Sequence, residues 1–472
     1  MSRARDVGIT SRRISTNGSH FISCNAGLLA ERTAALYAQP CDGNSTGDWL
    51  MLALQGLVGI AAIPLLAWVC CENRSDLPLR RAVTTVLAAL ALQFFIALLL
   101  LRLPAARAFF DVVGQAFLAL RTATETGMQV VFGHLAGAPA PYEVKYPNNM
   151  FLLGFQTLPL IMVLSAIARL LYHWGVLQAI VRVFAKVLQG TFGIGGPLGT
   201  AAAAKVFVGM VEAPLLIRPY LHDMGRGGIF AIMVVGMATV AGTVMALYGA
   251  ILEPFVPGAS GHVLAASIMN VPGALMLARL VVPRGFEEGP STANVTLEDP
   301  PRSSMDAIVQ GTGDGVRLLA NVIGMLVVMV ALVTLFNGFL GLIGKPFGLT
   351  LTLQGILGLL ASPLAWAIGI PWNEASAAGG LLAEKIVLNE FVAYLDMAKM
   401  PPEMLSPRSR LIMTYALCGF ANTASLGIMI GGLTAMAPSR RDVIVELAPK
   451  SMLFGALATC LSGAVVGVIS GG

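Results

Sequence analysis

Apolar runs matched to the thickness of a bilayer, about 20 residues for a hydrocarbon core of about 30 Å, recur along this chain from residue 49 to its end. Segments 49–71 and 82–101 are clean runs. Segments 150–172, 228–252, 262–282, 318–343, 408–436 and 452–470 complete a set of about eight spans. A lipid solvent also accounts for a charged fraction of only 12%, about half of what soluble domains carry. The net charge of +5 is scattered, which argues against a nucleic-acid surface. The six cysteines form no CxxC and the five histidines no HExxH, so neither a disulfide scaffold nor a metalloenzyme fits.

Segment 105–133 differs from the spans. It interleaves Phe109, Phe110, Val112, Val113, Phe117 and Leu118 with Arg107, Asp111, Arg121 and Glu125, the pattern of an amphipathic helix lying along the membrane surface. Residues 1–48 read as a polar tail, 49–145 as scaffold helices with the interfacial helix, and 146–282 as a first repeat. A polar linker, 283–304, with Glu287, Glu288, Glu298 and Asp299, leads to a second repeat, 305–472. Arg74, Arg80 and Arg81 place the 72–81 loop in the cytoplasm and the N-terminus outside.

Two segments fail as ordinary spans. Residues 193–220 contain Lys205, Glu212 and Pro214 among glycines, and residues 350–395 contain Pro363, Pro371, Glu374, Glu384, Lys385, Asn389 and Glu390. Each reads as a re-entrant helical hairpin, because irregular backbone at membrane depth survives only inside protein or along a cavity. Each precedes a span interrupted by small polar residues, at 238–243 (ATVAGT) and 421–427 (ANTASLG). Interruptions at matching places of two halves point to a solute site at the midplane of a secondary transporter. The fold class expected is therefore an all-α integral membrane protein with about eight transmembrane helices, one interfacial helix and two opposed hairpins in an inverted repeat.

A charge at the bilayer centre costs about 2.5–3.5 kcal/mol even on the milder scale, so Glu212 and Glu390 stand out. Both lie in apolar surroundings, so neither reads as part of a solvated face. One reading pairs each with a cation that pins the fold. The other has both accept hydrogen bonds from a polyhydroxylated or amide-bearing neutral solute, with Asn422 and Ser425 nearby. Arg218, Lys385, Arg408 and Arg410 read as anchors near helix ends, and Asp314 with Arg317 as a helical ion pair.

The stretches 209–220 (GMVEAPLLIRPY), 238–243 (ATVAGT), 388–395 (LNEFVAYL) and 405–427 (LSPRSRLIMTYALCGFANTASLG) resemble the concentrative nucleoside transporters, sodium- or proton-coupled symporters. The resemblance extends over nearly all of 150–470. It implies eight spans, an interfacial helix, two opposed hairpins and a homotrimer with one site per protomer, in the cell membrane (the inner membrane of a Gram-negative source). It further implies that Glu212 binds the nucleobase, that Glu390, Asn422 and Ser425 contact the ribose, and that Phe420 lines the cavity. Carbonyls near Val208, Thr239 and Val240, with the Thr239 hydroxyl, resemble the sodium-coordinating set.

The chain departs from that pattern at the first hairpin tip. The family's usual run is Asn-x-Phe-Val-Gly-Gln-Thr-Glu, whereas this chain reads Lys205-Val206-Phe207-Val208-Gly209-Met210-Val211-Glu212. Met210 and Val211 replace two base-contacting side chains, which implies looser or redirected base discrimination. Lys205 replaces a sodium-ligating asparagine, and an ammonium has donors but no acceptor. A tethered cation at the sodium position favours proton over sodium coupling. The alternatives are a snorkelling Lys205 with sodium held by carbonyls, or an ion-uncoupled facilitator. No bound cofactor is expected. An intramembrane enzyme would need a nucleophile with its base, and no histidine lies near Glu212 or Glu390 in sequence.

Overall fold

The computed structural model describes residues 46–102, 104–146, 150–286, 300–349 and 351–470. The expected tail up to residue 45 and residues 287–299 of the expected linker lie outside them. Among the described residues the chain is helical, with no strand. Among the described residues seven helices are long and apolar enough to cross a membrane, or eight if the bent pair 353–387, expected as a hairpin, counts as a span; the expected span 408–436 is not among the seven.

Helix α1 spans Thr46–Val69, α2 Leu79–Arg102 and α3 Pro104–Phe132. Helix α3 has the bounds expected of the amphipathic segment and is not among the seven apolar helices. Helices α4 (Leu160–His173) and α5 (Val176–Phe192) are parted by Gly175 at φ +78°. A glycine accepts this left-handed backbone without the Cβ clash that other residues meet.

After a nine-residue helix, α6 (Gly196–Ala204), residues 205–211 leave helical geometry, and only single turns follow at Glu212–Leu215 and Arg218–Leu221. The unwinding falls at the stretch holding Lys205, Gly209 and Glu212. The fourth apolar run is two helices, α7 (Arg226–Ala238) and α8 (Gly242–Leu252), separated by extended backbone at Thr239 and Ala241. Helix α9 is Ala259–Val281.

Helix α10 (Ser304–Gly344) is 41 residues long, about 60 Å at 1.5 Å per residue. It therefore outruns the 318–343 run at its amino end, where the Ser303 hydroxyl caps it by accepting from the Asp306 N–H. Gly311 and Gly315, one turn apart, seat α10 against the backbone of Ala166 and Met162 on α4, the close approach that small residues permit between membrane helices. Asp314 and Arg317 on this helix form no ion pair with each other.

Helices α11 (Leu353–Ala367) and α12 (Trp372–Val387) fold back at 120°, with Gly358 packed on the backbone of Gly379 and Gly380. There follow α13 (Glu390–Lys399), α14 (Pro407–Leu417), α15 (Thr423–Met436) and α16 (Arg441–Ile469). The 408–436 run is thus also two helices, parted at residues 418–422. Helices α7, α9 and α16 form the enclosed centre, while α10 is almost bare.

Two cationic anchors donate to carbonyls, although the buried Nε of Arg408 is left without a partner among the described residues. Arg408 donates to Gly369 and Gly467, and Arg410 to Leu405, Met397 and Met400. Backbone groups freed at helix ends need such donors where water is scarce. At the end of α1, Arg226 bridges Glu72 and Glu446 while Lys450 reaches Glu72. The Arg226 guanidinium, by its hydrogen bonds, holds the Glu72 carboxyl below its ordinary range.

Candidate functional site

The two broken helices cross at their breaks. A Cβ on Gly419 would lie 2.7 Å from the Ala238 carbonyl oxygen, so only a glycine lets the backbones approach this closely. The buried Asn270 amide, on the unbroken α9, donates to the carbonyls of Ala238 at 2.8 Å and Cys418 at 2.7 Å. One side chain thereby satisfies an end of each half-helix and ties the breaks together.

Glu390 opens α13, which Asn389 caps by accepting from the Val392 N–H. Its carboxylate is 3% exposed. One oxygen accepts from the Tyr248 hydroxyl at 2.5 Å and the other from the Asn422 amide at 3.0 Å. Asn422 in turn caps α15, its oxygen accepting from the Ser425 N–H at 2.8 Å. Three of the residues singled out in the sequence, Glu390, Asn422 and Ser425, are thus one hydrogen-bonded unit, all buried. Among the described residues no cation pairs with Glu390 at bridging distance, so the fold-pinning ion pair weighed for it is not present. Tyr248 was not singled out, although a hydroxyl within the apolar stretch 243–252 is a membrane-buried polar group that needs a partner. Its ring packs on Tyr394 at 5.0 Å between centroids, and the Tyr394 hydroxyl donates to the Thr414 carbonyl at 2.7 Å.

Lys205 follows α6 directly and is 2% exposed. Its ammonium donates to the Thr239 carbonyl at 3.4 Å and stands 5.1 Å from the centre of the Phe420 ring, a cation–π distance. The Thr239 and Val240 members of the expected sodium set therefore have hydrogen-bond partners within the protein. The Thr239 hydroxyl donates to Val235, and the Val240 carbonyl accepts from Ser267 at 3.3 Å. Val208 is half-buried in the unwound stretch beside them.

Glu212 differs from the expectation of two enclosed carboxylates. It is exposed, with its carboxylate folded back over Gly209, where a Cβ would collide with it. Among the described residues it makes no hydrogen bond or ion pair. The physical reason is local: Glu212 begins a single helical turn after the unwound tip, so its side chain has no neighbouring turn to pack on. Met210 is buried near Gly236, and Val211 lies against Gly432 of α15. Between α6 and α7, Lys205 and Met210 border a cavity of about 10 Å³, room for about one water.

Three family models match in order along the chain. They are described as "Na+ dependent nucleoside transporter N-terminus" over 58–135, "Nucleoside recognition" over 155–255 and "Na+ dependent nucleoside transporter C-terminus" over 262–467. Nucleoside permease NupC of Helicobacter pylori is 34% identical over 426 residues, covering 89% of this chain and 98% of that protein. Solute carrier family 28 member 3 of Homo sapiens is 32% identical over 413 residues, covering 84% of this chain and 57% of that protein. The solved structure of CNTnw in an inward-facing, substrate-bound state superposes with a TM-score of 0.79 at 35% identity, covering 89% of this chain and 98% of that one.

Proposed function

This chain belongs to the concentrative nucleoside transporter family, a family of multi-pass membrane transporters rather than enzymes, and we propose that it is a symporter that moves nucleosides by alternating access. The observation that carries the reading is the Glu390–Asn422–Ser425 unit at the crossing of two broken helices. A carboxylate and an amide, held by capping bonds in an apolar enclosure, are preorganised acceptors and donors for sugar hydroxyls. Glu212, unpartnered on the facing unwound tip, is the group free to accept from a base N–H. Phe420 is the aromatic wall between them.

In this reading 193–220 and 350–395 are opposed re-entrant hairpins of an inverted repeat, 146–282 and 305–472, attached to the scaffold of 49–145. Three protomers associate, each with its own site. The 120° fold-back of α11 on α12 and the unwound tip at 205–211 support the hairpins. Alternating access in this reading moves the hairpin-bearing elements against that scaffold.

Protons, rather than sodium, drive the uptake. Lys205 supports this, because its ammonium already lies on the Thr239 carbonyl that a sodium ion would use. Met210 and Val211 offer no hydrogen bond to a base edge, and each base group left unpaired costs about 1–3 kcal/mol. Base selectivity is therefore broad or redirected. The second reading, an uncoupled facilitator, shares the cavity but forbids accumulation.

The test is uptake of a panel of radiolabelled nucleosides into proteoliposomes, with and without an inward proton gradient, in sodium and in choline. Accumulation above equilibrium that requires the proton gradient, and its loss in Glu390→Gln and Glu212→Gln, is the expected result. Equilibration without accumulation establishes the facilitator, and no nucleoside uptake under any condition refutes both.

A further inference from the structure

The second half of the chain holds a buried lysine that the reading above does not use. Lys385, near the end of α12, is 1% exposed. Its ammonium donates to the Ala416 carbonyl at 2.9 Å and the Thr459 hydroxyl at 2.8 Å. Ala416 lies in the last turn of α14, where unpaired carbonyls carry the negative end of the helix dipole. No carboxylate stands at bridging distance among the described residues.

The first half repeats the arrangement. Lys205 ends α6 and donates to the carbonyl of Thr239, the residue that ends α7. Each lysine lies at or near the carboxyl end of a helix that precedes a glutamate in sequence, exposed Glu212 in the first half and buried Glu390 in the second, and each ammonium lies on the carboxyl end of a later half-helix. The separations, 34 and 31 residues, are nearly the same. Asn270 closes the circuit by binding the carbonyls of Ala238, next to Lys205's acceptor, and of Cys418, two residues beyond Lys385's.

We infer that Lys385 is a tethered monovalent cation filling a second cation seat, the counterpart in the second half of the seat that Lys205 fills in the first. The seat is formed by the Ala416 carbonyl and the Thr459 hydroxyl at the end of α14. Its charge fixes where the chain leaves α14, and so positions Phe420 and Asn422 a few residues on. The comparison of the halves rests on the two-repeat reading proposed above, whereas the seat itself is a matter of two hydrogen bonds.

The test is chemical rescue of Lys385→Ala in detergent solution. Thermal unfolding and nucleoside binding are measured in ammonium chloride, sodium chloride and choline chloride at one ionic strength. The variant melts below wild type in choline and recovers in ammonium, which fits the vacated head-group space, while wild type is indifferent to the salt. Its nucleoside affinity rises about tenfold from choline to ammonium, a magnitude ordinary for coupled sites. Melting of the variant that is equal in all three salts overturns the inference. So does an equal ammonium response in wild type, or failure to recover folded variant from any of the three. Because melting needs no nucleoside, rescue of melting without binding even in wild type upholds the seat and counts against the transport reading alone.

Discussion

Lys205→Asn removes the ammonium that donates to the Thr239 carbonyl at 3.4 Å and returns an amide oxygen that can face a cation. A sodium ion seated on that carbonyl in wild type would stand about 4 Å from the ammonium nitrogen. Two unit charges at that distance repel by about 4 kcal/mol at an effective dielectric of about 20, about a thousandfold in a binding constant. Wild-type uptake is therefore indifferent to sodium, and Lys205→Asn acquires sodium stimulation. Lys205→Met, which removes the charge without supplying an oxygen, gains less than the asparagine variant. The assay is initial-rate uptake of a radiolabelled nucleoside in sodium versus choline at fixed pH, for all three proteins. Sodium stimulation of wild type would refute the tethered-cation argument, and so would an asparagine variant that folds, transports and ignores sodium.

Tyr248→Phe deletes the donor 2.5 Å from a Glu390 oxygen; leaving a buried acceptor short of a partner costs about 1–3 kcal/mol, read as a lower Tm and a raised KM for uptake. Gly419→Ala pushes a Cβ to 2.7 Å from the Ala238 carbonyl oxygen; overpacking of this kind costs about 1–3 kcal/mol, and a variant that melts and transports like wild type would show that the breaks need not touch. Glu72 has its carboxyl held below the ordinary range by Arg226, so its contribution to stability is present above the unfolded-state carboxylate range and is lost as pH falls through the folded one. Glu72→Gln therefore melts below wild type at neutral pH and converges with it in acid, and a difference that persists unchanged in acid would contradict the assignment.

What the sequence displays and what it conceals divide along a physical line. Apolar run length displays spans, and glycine, proline and small polar residues display breaks, because both are properties of the residue itself. The interruption expected at 238–243 coincides with a real break, whereas the one expected at 421–427 falls a few residues earlier, at 418–422, with residues 423–427 already helical. Run length measures the bilayer rather than the helix, which is why α10 extends 14 residues ahead of the 318–343 run. The partners of the buried cations are concealed because they are carbonyls, and every residue has one. Arg408, Arg410, Lys205 and Lys385 all donate to backbone oxygen, so a search for complementary carboxylates misses each bond.

The same line explains the site. Glu390, Asn422 and Ser425 are legible as polar residues in apolar surroundings, yet Asn270 sits in a run that reads as a plain span and Tyr248 beyond the interruption of another. Their role comes from where the breaks cross, which depends on Gly419 meeting Ala238 and not on any local pattern. Crossing two broken helices leaves two carboxyl ends facing each other inside lipid-like surroundings, and facing negative ends repel unless donors lie between them. Asn270 and the two lysines are those donors. The chain thus places two fixed ammonium groups on the carboxyl ends of its broken helices, and a residue-by-residue search for charge pairs does not reveal this because the acceptors are backbone oxygens.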